Sequence, residues 1–326
     1  LCPEPIQGPC VQRFRGDQTV SILSNILTVA GLCLVANAIG QHTPLTSQYL
    51  FNGLVINPAY AGSRDALAAN LTYRHQWTGF EGAPVTQVLS VHAPLGRRKL
   101  GLGMLVYNDR IGVSQETGVF SNYAYRMRFG KGKLSFGLGA GFTLLRSQWS
   151  SLALQQGGDQ SFSGDTRSAF RPNFSAGSYY YTKNWFVGIS APFLILHQYK
   201  VGSDGWKISD SKADLQPMLT GGHVFQLSRD VKLKPTALVR YRVASGVQAD
   251  LSMNLILKDK VWVGASYRTG DALVASLEVL PTAQWRLGYA YDLGLSKLLA
   301  YHQGSHELMV QYEFGYRIRV KDPRYF

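Results

Sequence analysis

The chain has 326 residues and a formal charge of +13, with 16% charged and 12% aromatic side chains. A mean hydropathy of -0.07 excludes a bundle of membrane helices, while the charge content lies below the roughly 25% of an average soluble domain. The basic excess contains no run of four Lys or Arg and no recognition helix, so it points away from nucleic acid. An anionic membrane surface, an acidic partner or an anion-attracting lumen suits it better.

The three cysteines, Cys2, Cys10 and Cys33, all fall near the start. Arg13 and Arg15 precede an apolar run from about Ile22 to Val35, and small residues at Ala36, Ala38 and Gly40 follow. These are the three parts of a secretory signal, and the run is too short for an ordinary spanning helix. The expected boundaries are a leader over 1–40, with the signal at about 20–40 and cleavage before Gln41. Residues 1–19 lack signal character. The leader carries two acidic and two basic residues, so the remaining chain keeps the charge of +13 and no cysteine.

From there a period of two recurs. In ALAANLTYRHQW (66–77) Leu67, Ala69, Leu71, Tyr73 and Trp77 oppose Asn70, Thr72, Arg74 and Gln76. Stretches 84–95, 99–110 and 118–129 follow, and the fifth is KLSFGLGAGFTLLRSQW (133–149). Its Gly137, Gly139 and Gly141 suggest a phosphate-binding loop, but such a loop needs a tight turn and a helix. Here the alternation runs straight through the glycines, so this is a strand with one small-residue face. Nine more stretches complete the set: 171–181, 185–195, 216–227, 231–242, 248–258, 260–269, 272–280, 284–294 and 306–319. Many approach the 9–11 residues of a tilted membrane strand.

Alternate links are tight: Gly96–Lys99, Gly130–Lys133, Thr182–Asn184, Ser228–Asp230, Lys258–Lys260 and Pro281–Gln284. The intervening links vary, and Gln148–Phe170 and His197–Leu215 are long. Short turns on one side and longer loops on the other describe an outer-membrane barrel. The expected fold is all-β, a transmembrane antiparallel up-and-down barrel of about 14 strands over residues 66–319. Aromatics near strand ends (Trp77, Phe129, Trp149, Tyr179, Tyr180, Tyr181, Trp185, Trp285 and Tyr316) read as an interfacial belt.

Catalytic constellations are scarce. No Gly-x-Ser-x-Gly elbow and no His-Glu-x-x-His occur. His302, His306 and Glu307 make a weak metal candidate, because His306 and Glu307 point to opposite faces of a strand. His75 and His92 fall on opposite parities. The chain is therefore expected to be no enzyme and to require no cofactor or metal. The even face of several strands is basic, with Arg74, Arg126, Arg128, Lys232, Lys234, Arg240, Arg242, Arg268 and Arg286 partly opposed by Asp250, Glu278 and Asp292. This face is either an anion-attracting or docking surface, or an internal charge network filling the barrel.

Before the first strand stands SQYLFNGLVINPAYAGSRD, Ser47 to Asp65. Its Asn57-Pro58-Ala59-Tyr60-Ala61-Gly62-Ser63 resembles the opening signature of the PorP/SprF family of type IX secretion system outer-membrane proteins. YRHQWTGFEGAPVTQVLSVHAPL is similar to the family's Trp-x-Gly and Pro-x-Thr pattern. GSHELMVQYEFGYRIRVKDPRYF looks like its closing strand and tail, with Lys321-Asp322 where a small residue is expected before Pro323. The resemblance implies an outer-membrane protein of Bacteroidetes that acts without catalysis in secretion or surface anchoring of cargo. The implied partners are outer-membrane lipid and lipopolysaccharide, the C-terminal domain of a cargo or gliding-motility adhesin, and periplasmic type IX secretion components. The alternative is an outer-membrane channel or transporter for small solutes.

Read as residues alone, Asn57-Pro58 and Ala61-Gly62-Ser63 are turns in an ordered segment before the barrel. The segment 41–65 is expected to be periplasmic or lumenal, tucked into the barrel as a plug or paired with a partner. Asp322-Pro323 breaks the last ladder, leaving 320–326 as a tail in which Pro323, Arg324, Tyr325 and Phe326 dock on a periplasmic partner or the barrel's base. Asn57, Pro58, Tyr60 and Gly62 are the other candidate binding residues.

Overall fold

The computed structural model describes residues 46–95, 99–151, 165–202, 205–211, 215–242, 246–296 and 301–315. Three 3-10 turns, Tyr49–Phe51, Gly53–Val55 and Pro58–Tyr60, precede the strands. The strands are β1 (Leu67–His75), β2 (Val85–Leu95), β3 (Leu100–Ile111), β4 (Ser114–Phe129), β5 (Gly132–Ser147), β6 (Thr166–Tyr181) and β7 (Trp185–Ala191). Next come β8 (Leu196–Gly202), β9 (Gly205–Ser211), β10 (Met218–His223), β11 (Phe225–Gln226), β12 (Val231–Arg242) and β13 (Gly246–Leu257). The last are β14 (Val261–Arg268), β15 (Ala272–Val279), β16 (Trp285–Gly294) and β17 (Ser305–Phe314).

Each wall strand pairs antiparallel with its neighbours, and the ring closes where β17 returns to β1 and where β10 meets β12. β10 and β11 are two parts of one strand. Their pairing to β12 stops at Gly222 opposite Thr236 and resumes at Phe225 opposite Leu233. The break coincides with Pro235, which has no amide to donate. Counting that strand once, the described residues form a closed 14-strand antiparallel barrel. Closure follows from the solvent: in hydrocarbon an unpaired backbone group costs several kcal/mol, so a spanning sheet keeps no edge.

The alternation sets the two faces as expected. On β1, Leu67, Leu71 and Tyr73 are exposed on the outside while Ala68, Asn70, Thr72 and Arg74 are buried inside. All fourteen expected stretches hold a wall strand, with two extensions. β4 begins at Ser114 and β6 at Thr166, before the expected 118 and 171. On β4 the added length is held by polar pairs, Gln115 and Thr117 donating to Asn108 Oδ1 at 2.7 and 3.0 Å, which leave no apolar alternation to read. The link after β7 also contains the β8–β9 hairpin. It pairs only with itself, so it needs no lipid-facing pattern.

At the short-turn end, expected from the loop asymmetry to be periplasmic, exposed and half-buried rings cluster outside the wall. Tyr180 and Trp185 lie 5.0 Å apart, and Tyr312 touches both Trp285 (4.7 Å) and Phe314 (4.6 Å). Two members of the expected belt belong elsewhere. Tyr179 is buried and Tyr181 packs beside it, because alternation with Tyr180 sends both into the lumen. Tyr316 lies outside the described residues.

The basic face is an internal charge network where its partners are in reach. Arg74 pairs with Asp292 (2.7 Å) and Glu307 (3.1 Å), Arg268 with Asp250 (3.1 Å), and Arg286 with Glu278 (3.2 Å). Arg128 is exposed at the end of β4, and Lys232 meets Asp259 at a short turn.

Candidate functional site

Residues 46–65 run along the inside of the wall, and their contacts reach strands all round the ring. At one end, the Glu307 carboxylate accepts from the backbone amides of Ser47 (2.6 Å) and Gln48 (2.8 Å). The Ser47 hydroxyl donates to Asp292 at 2.7 Å and accepts from Arg74 at 2.8 Å. Glu307 opens β17, Asp292 closes β16 and Arg74 closes β1, so this end lies in the outer half of the lumen. At the other end Asp65 pairs with Arg126 (3.1 Å) and Lys133 (2.7 Å), close to the short turn between β4 and β5. The segment therefore passes from the outer half of the lumen to its inner mouth.

Between these ends apolar rings and chains pack together with buried cations and with Asn52, which is hydrogen-bonded to Asn70 and Ser90. Phe51 meets Trp262 edge-on at 5.3 Å, and the Arg286 guanidinium lies 4.9 Å from the Phe51 ring. Lys234 stands over Phe51, Phe186 and Trp262. Tyr49, Ile56, Met218 and Leu238 form a second cluster. Each large side chain so buried contributes about 1.5–3 kcal/mol. The gap left beside Tyr49, Asn57, Tyr179 and Lys234 is about 20 Å³, room for one water.

The turn Asn57–Ser63 is built by its own residue types. Asn57 Oδ1 accepts from the Ala59 amide at 2.9 Å, capping the 3-10 turn that Pro58 starts with its fixed φ. Asn57 Nδ2 donates to the Ser178 carbonyl at 2.9 Å. The Ala59 carbonyl accepts from the Ser135 hydroxyl at 2.7 Å. Tyr60 packs edge-on against Tyr179 (5.7 Å) and His92 (5.3 Å), and its hydroxyl accepts from Arg64 Nε at 2.9 Å. Gly62 has φ 72°, in the left-handed region that favours glycine. Its amide donates to His92 Nδ1 at 3.1 Å, which makes that nitrogen an unprotonated acceptor, and its carbonyl accepts from Arg126.

The wall is cut to receive this turn. A Cβ on Gly137 of β5 would collide with the backbone of Pro58 and Ala59. The glycine that suggests a phosphate loop instead lets two backbones touch.

Asn57, Pro58, Tyr60 and Gly62 are thus brought together, with their described contacts directed to the barrel's own wall. Pro323, Arg324, Tyr325 and Phe326 lie outside the described residues, as does the expected signal at 20–40. His302, His306 and Glu307 do not converge. His302 Nδ1 accepts from Gly304, His306 meets the Tyr289 hydroxyl, and Glu307 points inward to the segment. Among the described residues no group of three or more metal-binding side chains forms. Sequence reasoning assigned Glu307 only to that weak metal candidate; its parity opposite His306 is the signal that turns it inward.

A family model described as type IX secretion system membrane protein PorP/SprF matches residues 38–312. The chain belongs to this family. It is an outer-membrane β-barrel of the type IX secretion system family, as its opening motif and closed ring indicate. Among curated proteins no sequence relative is found. Similar solved structures include Omp33 of Acinetobacter baumannii, 10% identical with a TM-score of 0.46 over 77% of this chain and 100% of that one. The CymD monoaromatic hydrocarbon channel is 13% identical, TM-score 0.49, covering 86% and 94%. A Pseudomonas aeruginosa FadL homologue is 11% identical, TM-score 0.48, covering 83% and 95%. In this PorP/SprF family member the lumen wall holds the family's opening turn through Ser135, Ser178, His92 and Arg126.

Proposed function

We propose that this PorP/SprF protein supports secretion or cell-surface anchoring of specific cargo through the cargo's C-terminal domain, and does so without catalysis. Gliding-motility adhesins are the cargo class that the family resemblance suggests. The observation that carries the reading is a family match over most of the barrel together with a lumen occupied by residues 46–65. A barrel filled by its own chain suits an anchor better than a path for free solutes. Periplasmic secretion components are its proposed partners on the short-turn side.

The test compares the surface proteomes of the native strain, a strain lacking the gene, and a complemented strain. Loss of a small set of proteins sharing a C-terminal domain, restored on complementation, is the expected result. An unchanged surface proteome, with the purified barrel conducting steadily in planar bilayers, would overturn the reading in favour of a solute channel.

A further inference from the structure

The internal network accounts for Arg74, Arg268 and Arg286 but leaves two inward arginines over. Arg240 and Arg242 stand two residues apart on β12, both facing inward, at 2% and 8% exposure. Side chains at such positions share a face about 7 Å apart. Among the described residues no carboxylate reaches either guanidinium within ion-pair distance, and both Nε atoms are buried without a hydrogen-bond partner. Asp250 is engaged by Arg268 and the Ser252 hydroxyl.

Arginine does not escape burial by losing its proton. Asp250 and Asp271 attract Arg240 through space without bonding it. A buried guanidinium with no directly bonded counter-charge is costly, and that cost falls when an anion supplies both charge and acceptors. β12 starts after a short periplasmic turn and ends at Arg242, so the pair lies in the outer half of the lumen. The guanidinium fork matches the two oxygens of a carboxylate or phosphate.

We propose that Arg240 and Arg242 form an oxyanion-binding site in the outer half of the lumen, taking a carboxylate or phosphate group. The two side chains leave the strand about 7 Å apart, the same spacing at which an extended peptide presents acidic residues at alternate positions. The site goes beyond the cargo reading, and its two arginines both belong to the wall, with Tyr49 of the lumenal segment close to Arg240.

The test uses the full chain purified in detergent, with inorganic phosphate and a short peptide bearing Asp at alternate positions as separate probes. Thermal unfolding and titration calorimetry are compared with sodium chloride at equal ionic strength. Each effective probe is expected to raise the Tm of the wild type above the chloride reference, and R240Q/R242Q to weaken its binding at least tenfold. Tighter binding of the peptide assigns the site to carboxylates, and tighter binding of phosphate to a free oxyanion. Should the double variant fail to assemble, R240K and R242K keep the charge but lose the fork, and each is expected to bind several-fold more weakly. Failure of both probes to exceed chloride, or undiminished binding by the variants, would overturn the proposal.

Discussion

Gln48 and Glu307 meet inside the barrel, the Gln48 backbone amide donating to Glu307 Oε1 at 2.8 Å while Oε2 accepts from Ser47. A carboxylate on the last wall strand thus takes two successive amides of the segment that precedes the first. Arg74 stands beside it at 3.1 Å and balances the charge.

Glu307→Gln removes that charge and leaves only one oxygen to accept. Losing half of a buried ion pair and a charged acceptor is expected to cost about 2–4 kcal/mol. Amides 47–52 should exchange with deuterium at least tenfold faster, while the central strands keep their protection. Unchanged exchange across 47–52 would mean that the apolar packing of Phe51 and Tyr49 alone holds the segment.

Gly137→Val should drive the Asn57–Ser63 turn off the wall, since the added carbons fall on the Pro58 and Ala59 backbone. A cysteine placed at Ser63 should then react with a maleimide much faster than in the parent. Gly221→Val is the control: it faces lipid, and its nearest neighbour, the Phe186 carbonyl, lies at an ordinary 3.5 Å. Equal labelling in the two variants would refute the close approach.

Asn57 has two roles that substitution can separate. Asn57→Asp keeps the oxygen that caps Ala59 but loses the donor to Ser178, whereas Asn57→Ala loses both. The alanine variant is expected to cost about 1–2 kcal/mol for the cap, plus about 1 kcal/mol for the lost wall bond. Aspartate, however, buries a carboxylate whose second oxygen faces the Ser178 and Ile189 carbonyls, so the denaturant midpoints should differ, with aspartate the lower.

Phe193, in the link after β7, packs in the lumen on Phe120 (5.5 Å) and Tyr107 (6.3 Å). Asn173 holds the neighbouring backbone by accepting from the amides of Leu194 (3.2 Å) and Ile195 (3.1 Å). Asn173→Ala should expose this link to proteolysis without altering segment 46–65. In planar bilayers, Phe193→Ala combined with deletion of 46–65 should conduct, and neither change alone should conduct as much. Full conductance from the deletion alone would show that Phe193 closes nothing.

The wall of this protein was legible because lipid imposes a binary code. Leu71 and Tyr73 face hydrocarbon, Thr72 and Arg74 face the lumen, and a period of two states this before any contact is known. The short turns were legible for the same reason, since they punctuate the alternation. The hairpin β8–β9 and the added length of β4 escaped, because neither depends on a lipid-facing stripe.

By itself, the sequence determined the closed ring, its strand boundaries to within a few residues and, through Asn57–Ser63, its family. Only the tertiary structure decided what the lumen holds. Alternation tells that Glu307, His92 and Gly137 point inward, but not which residue of a distant segment each one meets. Those meetings span over 200 residues of sequence in the case of Gln48 and Glu307. They are set by ring closure, which brings the last strand beside the first, and by the fit of a non-repeating segment into the space that closure encloses.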